Sequence, residues 1–330
     1  MCKAVSADVA TEATLKTSLL GVDRSAAAGD DIPIIDMAAP GLADALWEAA
    51  NTVGFFTVTN HGIPQSSIDA VFGASAGYFA QERDVKEAQC PFARQLNSGY
   101  EYFSQVRPST GTADQKESLQ ITAREGAMDG RWPSEPASLE RDSHELMKAA
   151  HGLACRLLSL LEPKACPKLE PGTLAKAHTL WAADGQCTLR LLHYPAVPED
   201  AAPGLWRAGP HTDWCCVTLL FQRPDSTGLE CAANPRAVAD GSGAWARVEP
   251  FEGGIAVNIG DMLSRWSSGK LLSNLHRVRM PTDPAERNRS RYSVAFFAQA
   301  DQRQLIESEE SEPITAGDYI LGRIKSNFAK

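Results

Sequence analysis

The stretch HTDWCCVTLLFQ (211–222) joins a histidine-x-aspartate pair to a run of Val, Thr, Leu and Phe, residues that suit a pleated, half-buried strand. Five similar runs flank it: CTLRLLHY (187–194), GLECA (228–232), GIAVNIG (254–260), HRVRM (276–280) and RYSVAFFA (291–298). Pro, Gly, Asp and Asn clusters separate them, and short strands at this spacing predict a sandwich or barrel. On a strand, residues i and i+2 share a face, so His211 and Asp213 present a nitrogen and an oxygen donor side by side. Asn258 and Asp261, in NIGD, read as turn formers.

Toward the N-terminus the pattern changes. IPIID (32–36) and FFTVT (55–59) read as strands, with NHGIP (60–64) as a turn in which His61 is structural. Between them Leu42, Leu46, Ala49, Ala50 and Val53 recur at helical spacing, and a second helical region covers 65–88. Leu139, Leu146, Ala150, Leu153, Leu157 and Leu161 predict the longest helix. The stretch 90–135 has no clear period, and a segment this long predicts a lid or substrate-facing region. Residues 1–30, rich in Ala, Ser and Thr, read as a flexible arm. The rest reads as one unit over 31–330: a helix-rich layer (31–185), a β core (186–300) and a C-terminal segment (301–330).

Composition removes several function classes. The 330 residues are 43% apolar and 22% charged with a net charge of −9, which excludes a disordered chain and disfavours nucleic acid or anionic membrane as partners. No run approaches the roughly 18 uncharged apolar residues that span a bilayer. The eight cysteines (Cys2, Cys90, Cys155, Cys166, Cys187, Cys215, Cys216 and Cys231) form no CxxC pair, and Cys215-Cys216 sits in an apolar run where thiols pack as small hydrophobes. The N-terminal segment lacks an apolar core and carries Asp8, Glu12 and Asp23, which predicts a cytoplasmic location. Nothing in the sequence requires an oligomer.

His276, 65 residues after His211, supplies a third donor from another strand. Two neutral imidazoles and one carboxylate leave iron(II) with a net positive charge and open positions for a bidentate cosubstrate and dioxygen. The same three residues suit a hydrolytic zinc site. Arg291 and Ser293 form another i, i+2 pair, offering a guanidinium and a hydroxyl to a buried carboxylate, and Tyr194 can add a second hydroxyl.

With this context the chain resembles the isopenicillin N synthase-like branch of the iron(II)/2-oxoglutarate-dependent dioxygenases. IPIID and GFFTVTNHGIP resemble that family's opening, NSGYEYF (97–103) and DQKESLQI (114–121) its middle, and the β segments its core. The resemblance implies a mainly β fold with helices, a double-stranded β-helix (jelly-roll) core flanked by N-terminal helices. It implies His211, Asp213 and His276 as iron ligands, with Arg291 and Ser293 holding the distal carboxylate of 2-oxoglutarate and Tyr194 assisting. The implied activity consumes 2-oxoglutarate and O2, releases succinate and CO2, and oxidises an unactivated C–H bond of a small specialised-metabolite or amino-acid-derived substrate. Hydroxylation, desaturation and ring closure are the outcomes open to it.

This chain departs from the pattern in two places. Fourteen residues, including TDPAERN, separate His276 from Arg291, which makes Arg289 a weaker rival for the carboxylate. Position 192 is Leu where many members carry Asn. Candidate substrate contacts are Tyr100, Arg107 and Lys116 from the irregular middle, with Trp214 and Phe297 beside the site residues. Three alternatives stay open: an oxidase of this fold that uses no 2-oxoglutarate, a zinc-dependent hydrolase, and a metal-free binding module.

Overall fold

A computed structural model describes residues 32–106, 110–233 and 244–328; the arm expected over 1–30 lies outside them. In chain order the first elements are β1 (Ile34–Asp36), α1 (Leu42–Thr52), β2 (Phe55–Thr59), α2 (Gln65–Phe79), α3 (Arg83–Gln89), β3 (Gly99–Tyr102), β4 (Glu117–Thr122), α4 (Leu139–Ala165) and α5 (Thr173–Lys176). Then come β5 (Thr188–Tyr194), β6 (Ala208–His211), β7 (Val217–Gln222), β8 (Leu229–Ala232), β9 (Trp245–Arg247), β10 (Ile255–Ile259), α6 (Asp261–Trp266) and β11 (His276–Val278). The last are α7 (Pro284–Arg287), β12 (Arg291–Ala298), β13 (Leu305–Ile306), β14 (Ile314–Thr315) and α8 (Ala316–Phe328).

Eight strands form one sheet in the order β1-β2-β10-β7-β12-β5-β4-β3, and four form another in the order β6-β11-β8-β9. Within these two sheets β1 and β2 run parallel and the other pairs run antiparallel. The two sheets form the double-stranded β-helix, and a small cluster joins them: Phe55 and Ala256 of the large sheet with Ala208, Leu229, Cys231 and Val278 of the small one.

Strand alternation decides which side of the large sheet is dry. Leu189 and Leu191 of β5, Leu219 and Phe221 of β7, and Val294 and Phe296 of β12 are buried in the main apolar cluster with Phe72 of α2 and Leu146, Leu153 and Leu157 of α4. Each such side chain contributes about 2 kcal/mol by leaving water. The alternate residues, among them Thr188, Arg190, Tyr194, Thr218, Arg291 and Ser293, line a cavity on the other face. One sheet therefore serves as core wall on one side and site floor on the other.

The irregular middle holds more order than its pattern predicts. β3 and β4 extend the large sheet beyond β5, and every residue of ESLQIT is buried despite its polar content. Glu117 explains part of this, since its carboxylate accepts from Lys86 Nζ (2.8 Å), His193 Nδ1 (2.6 Å) and the Tyr100 hydroxyl. Burial pushes the Glu117 carboxyl up, but these three donors outweigh it and hold it below the usual carboxylate range. The helical region expected over 65–88 is two helices, and α4 runs past Leu161 with Pro163 in its last turn, where the missing N–H interrupts little of the ladder. Among the described residues no helix is long and apolar enough to cross a membrane.

Candidate functional site

His211 ends β6 and sits opposite His276 of β11, while Asp213 follows in the turn before β7. One ligand atom from each lies within 4.8 Å of the others. Asp213 Oδ1 is 3.9 Å from His211 Nε2, and Oδ2 is 3.7 Å from His276 Nε2. His211 Nδ1 lies 2.7 Å from the Gly209 carbonyl and His276 Nδ1 lies 3.2 Å from the Asn274 carbonyl. A carbonyl only accepts, so both Nδ1 atoms carry the proton and both Nε2 lone pairs point toward Asp213. Two imidazole nitrogens and one carboxylate, gathered on one side of a point, fit an iron(II) ion that keeps open positions.

Two residues read from sequence as turn formers reach this centre. Asn258 Nδ2 donates to Asp213 Oδ2 (2.9 Å), as does Thr218 Oγ1 (2.6 Å). Asp261 accepts from Thr212 Oγ1 (3.0 Å), from Ser273 Oγ (2.5 Å) and from the buried Arg323 of α8 (2.9 Å), and its own N–H donates to the Asp213 carbonyl (2.7 Å). Gly260 is what permits this approach, because a Cβ there would stand 2.2 Å from the Cys215 carbonyl oxygen. The i, i+2 spacing predicts one strand carrying both His211 and Asp213, but β6 ends at His211, and the spacing does not see donors arriving from β7 and β10.

Arg291 is buried on the cavity floor, with its cross-strand partner Tyr194 beneath it at 4.9 Å from the ring centroid. Its Nη2 donates to Gln222 Oε1 (2.7 Å) and its Nη1 approaches Ser293 Oγ (3.4 Å), while its buried Nε has no hydrogen-bond partner. Burial depresses its pKa, and a second buried guanidinium, Arg207, is pushed down to about 10 by burial and then by the charge of Arg291. A desolvated guanidinium with an orphaned donor, bordering the cavity at Arg291, fits a carboxylate guest. Arg289 is exposed and does not border this cavity, although its carbonyl accepts from Arg207. Leu192, which brings no amide to the site, lies on the floor beside Ser293.

Trp214, Phe297 and Lys116 line the cavity, with Lys116 paired to Asp114 at 2.8 Å. Tyr100 is not among the residues that line it. Alternation along β3 turns Tyr100 toward Glu117 and brings its neighbour Glu101 to the cavity instead. Arg107 lies outside the described residues. Arg190 and Gln120, a cross-strand pair joined at 2.5 Å, also face the cavity, with the Arg190 guanidinium 5.5 Å from the Phe297 ring centroid. Alternation along β5 was the available signal for Arg190, whereas Gln120 lies on β4, whose sequence carries no such pattern.

Known proteins match this architecture along its length. The sequence model of the 2OG-Fe(II) oxygenase superfamily matches residues 185–300, and that of the "non-haem dioxygenase in morphine synthesis N-terminal" region matches 32–139. The 2-oxoglutarate-dependent dioxygenase htyE of Aspergillus rugulosus is 30% identical over 304 residues, covering 83% of this chain and 88% of the relative. The 2-oxoglutarate-Fe(II) type oxidoreductase hxnY of Emericella nidulans is 29% identical over 316 residues, covering 86% and 84%. A full-length Neurospora crassa protein, solved in complex with alpha-KG and thymine, superposes with a TM-score of 0.78 at 25% identity, covering 93% of this chain and 100% of that one. By sequence, by fold and by the chemistry its site can hold, the chain belongs to the 2OG-Fe(II) oxygenase superfamily and is an iron(II)- and 2-oxoglutarate-dependent dioxygenase.

Proposed function

We propose that His211, Asp213 and His276 hold the iron, that Arg291 and Ser293 with Tyr194 anchor the distal carboxylate of 2-oxoglutarate, and that residues 31–330 act as one catalytic unit. The observation that carries this reading is a single cavity bordered by both a His-Asp-His cluster and a buried guanidinium with an orphaned donor. When bound, iron(II) with 2-oxoglutarate and O2 supplies the oxidising power for a C–H bond, with succinate and CO2 released. The chain's own residues orient and exclude water. Thr218 and Asn258 fix the Asp213 carboxylate, Arg291 neutralises the cosubstrate, and the floor of β5 and β12 shields the reacting groups from solvent.

The substrate is a small organic molecule received by the wall of Arg190, Gln120, Trp214 and Phe297. That wall sets a polar pair beside aromatic faces, a combination suited to a compact ring bearing hydrogen-bond acceptors. The thymine bound to the Neurospora crassa protein is a molecule of that kind. Nucleic acid, membrane and an obligate oligomer have no part in the reading, and the location is cytoplasmic. An oxidase independent of 2-oxoglutarate, a zinc hydrolase and a metal-free module are not favoured by the family membership.

The test is succinate formation from 2-oxoglutarate under air with iron(II) and ascorbate. His211→Ala abolishes it on this reading, and retained turnover in that variant rejects the ligand assignment. Arg190→Leu leaves substrate-independent succinate formation within about twofold of wild type and removes its stimulation by substrate rings.

A further inference from the structure

The strand that delivers His211 is irregular. Ala208 pairs with Val278 and His211 with His276, so β6 advances three residues where β11 advances two. The extra residue is a bulge, a device that re-aims a side chain at the cost of taking backbone groups off the ladder. Pro210 has no N–H to lose, but Gly209 does. Its N–H donates instead to Oδ1 of Asp114 (2.9 Å), and its carbonyl receives the Nδ1–H of His211 (2.7 Å). Asp114 is 1% exposed, and its other oxygen meets Lys116 Nζ at 2.8 Å. The segment is pinned beside β6 by a further bond, from the Gln115 N–H to the Trp206 carbonyl (2.9 Å).

We propose that Asp114 is a positioning residue for His211, acting through Gly209, and that the ion pair with Lys116 holds its buried carboxylate in place. This rests on the reading of His211 as an iron ligand. A bulge left to itself allows Gly209, and so the carbonyl that orients the imidazole, more than one arrangement. Asp114 selects the one in which His211 Nε2 faces Asp213. The cavity-lining Lys116 thereby serves the metal centre by neutralising Asp114, and substrate contact is not its main task.

Two double variants isolate the acceptor at Gly209. Lys116→Met with Asp114→Asn removes both charges and keeps an oxygen for the Gly209 N–H. Lys116→Met with Asp114→Leu has nearly the same shape and no acceptor. Manganese(II), titrated into each metal-free protein without 2-oxoglutarate, is followed by the paramagnetic resonance signal of the free ion. The asparagine form is expected to bind within about threefold of wild type, and the leucine form about 10-fold or more weaker, as for other residues that orient metal ligands. Equal affinities overturn the proposal, even if the leucine form melts at a lower temperature, because the role is then only structural. If the leucine form does not fold, Asp114→Ala in the same Lys116→Met background takes its place under the same criteria. His211→Ala serves as the control. Undiminished manganese binding there refutes the ligand reading itself, whereas lost binding there with equal double variants refutes only the role of Asp114.

Discussion

The side-chain amide of Asn258 donates to Asp213 Oδ2 across 2.9 Å, and both side chains are at least nine-tenths buried. A buried carboxylate whose oxygen is held this way has one orientation to offer a metal. Asn258→Ala is expected to weaken manganese(II) binding by about 10-fold. Asn258→Asp is expected to make that binding depend more steeply on pH, because two carboxylates this close share a proton that the metal must displace. Titration of the metal-free proteins reads both, and unchanged affinity in the alanine variant removes Asn258 from the site.

Arg291 predicts a split between binding and stability. Losing one member of a buried charge pair costs about 2–5 kcal/mol, so Arg291→Leu raises the half-saturating 2-oxoglutarate concentration by roughly 30-fold or more. The cosubstrate-free protein behaves differently. There the guanidinium is desolvated and its pKa depressed by burial, so replacing it with an apolar group leaves the thermal midpoint unchanged or raises it. Cosubstrate titration and melting curves with and without 2-oxoglutarate check the two halves separately.

His178 gives the fold a defined acid sensitivity. Burial is the main cause that pushes its pKa down to about 4, with His151 adding to it and the Leu174 carbonyl opposing it. The unfolded chain titrates near pH 6.5, so below that value the unfolded state takes up a proton that the native state refuses. Stability therefore falls as pH drops from about 6.5 toward about 4, by about 3 kcal/mol at full extent. His178→Gln is expected to flatten that part of the curve. Urea unfolding at several pH values compares the slopes, and identical slopes refute the assignment.

The paired thiols should be inert. Cys215 and Cys216 are buried, and desolvation pushes both well above the ordinary thiol range. Cys187 is raised to about 12 for the same reason. Iodoacetamide at pH 8 is expected to leave these three unmodified in the native protein and to alkylate them in urea, as peptide mass analysis shows. Rapid native labelling at Cys215 argues for an opening of the cavity wall.

The jelly roll was legible because its strands are short apolar and β-branched runs set between clusters of turn residues. VTLLFQ, IAVNI and RYSVAFFA are β7, β10 and β12. Asp213 reaches His211 from the turn beyond β6, outside the strand its spacing predicts, whereas the Arg-x-Ser pair was legible because a period of two puts paired functions on one face. β4 was not, because ESLQIT is buried on polar contacts such as that of Glu117 with Lys86, and these leave no apolar signature. The side that Tyr100 faces depends on the register of β3, which no local pattern fixes. Asn258 and Asp114 act from separate strands and loops, and only the folded chain brings them to their partners.

The pairing of Phe55 with Asn258 has a kinetic consequence. β2 and its neighbour β10 lie far apart in the chain, and pairing across so long a loop slows a folding reaction. His211 and His276 meet only when β6 pairs with β11 across 65 residues of chain, so partly folded forms without that pairing have little hold on iron. Metal added during refolding then leaves the folding rate largely unchanged and slows unfolding, locking the product without guiding the path.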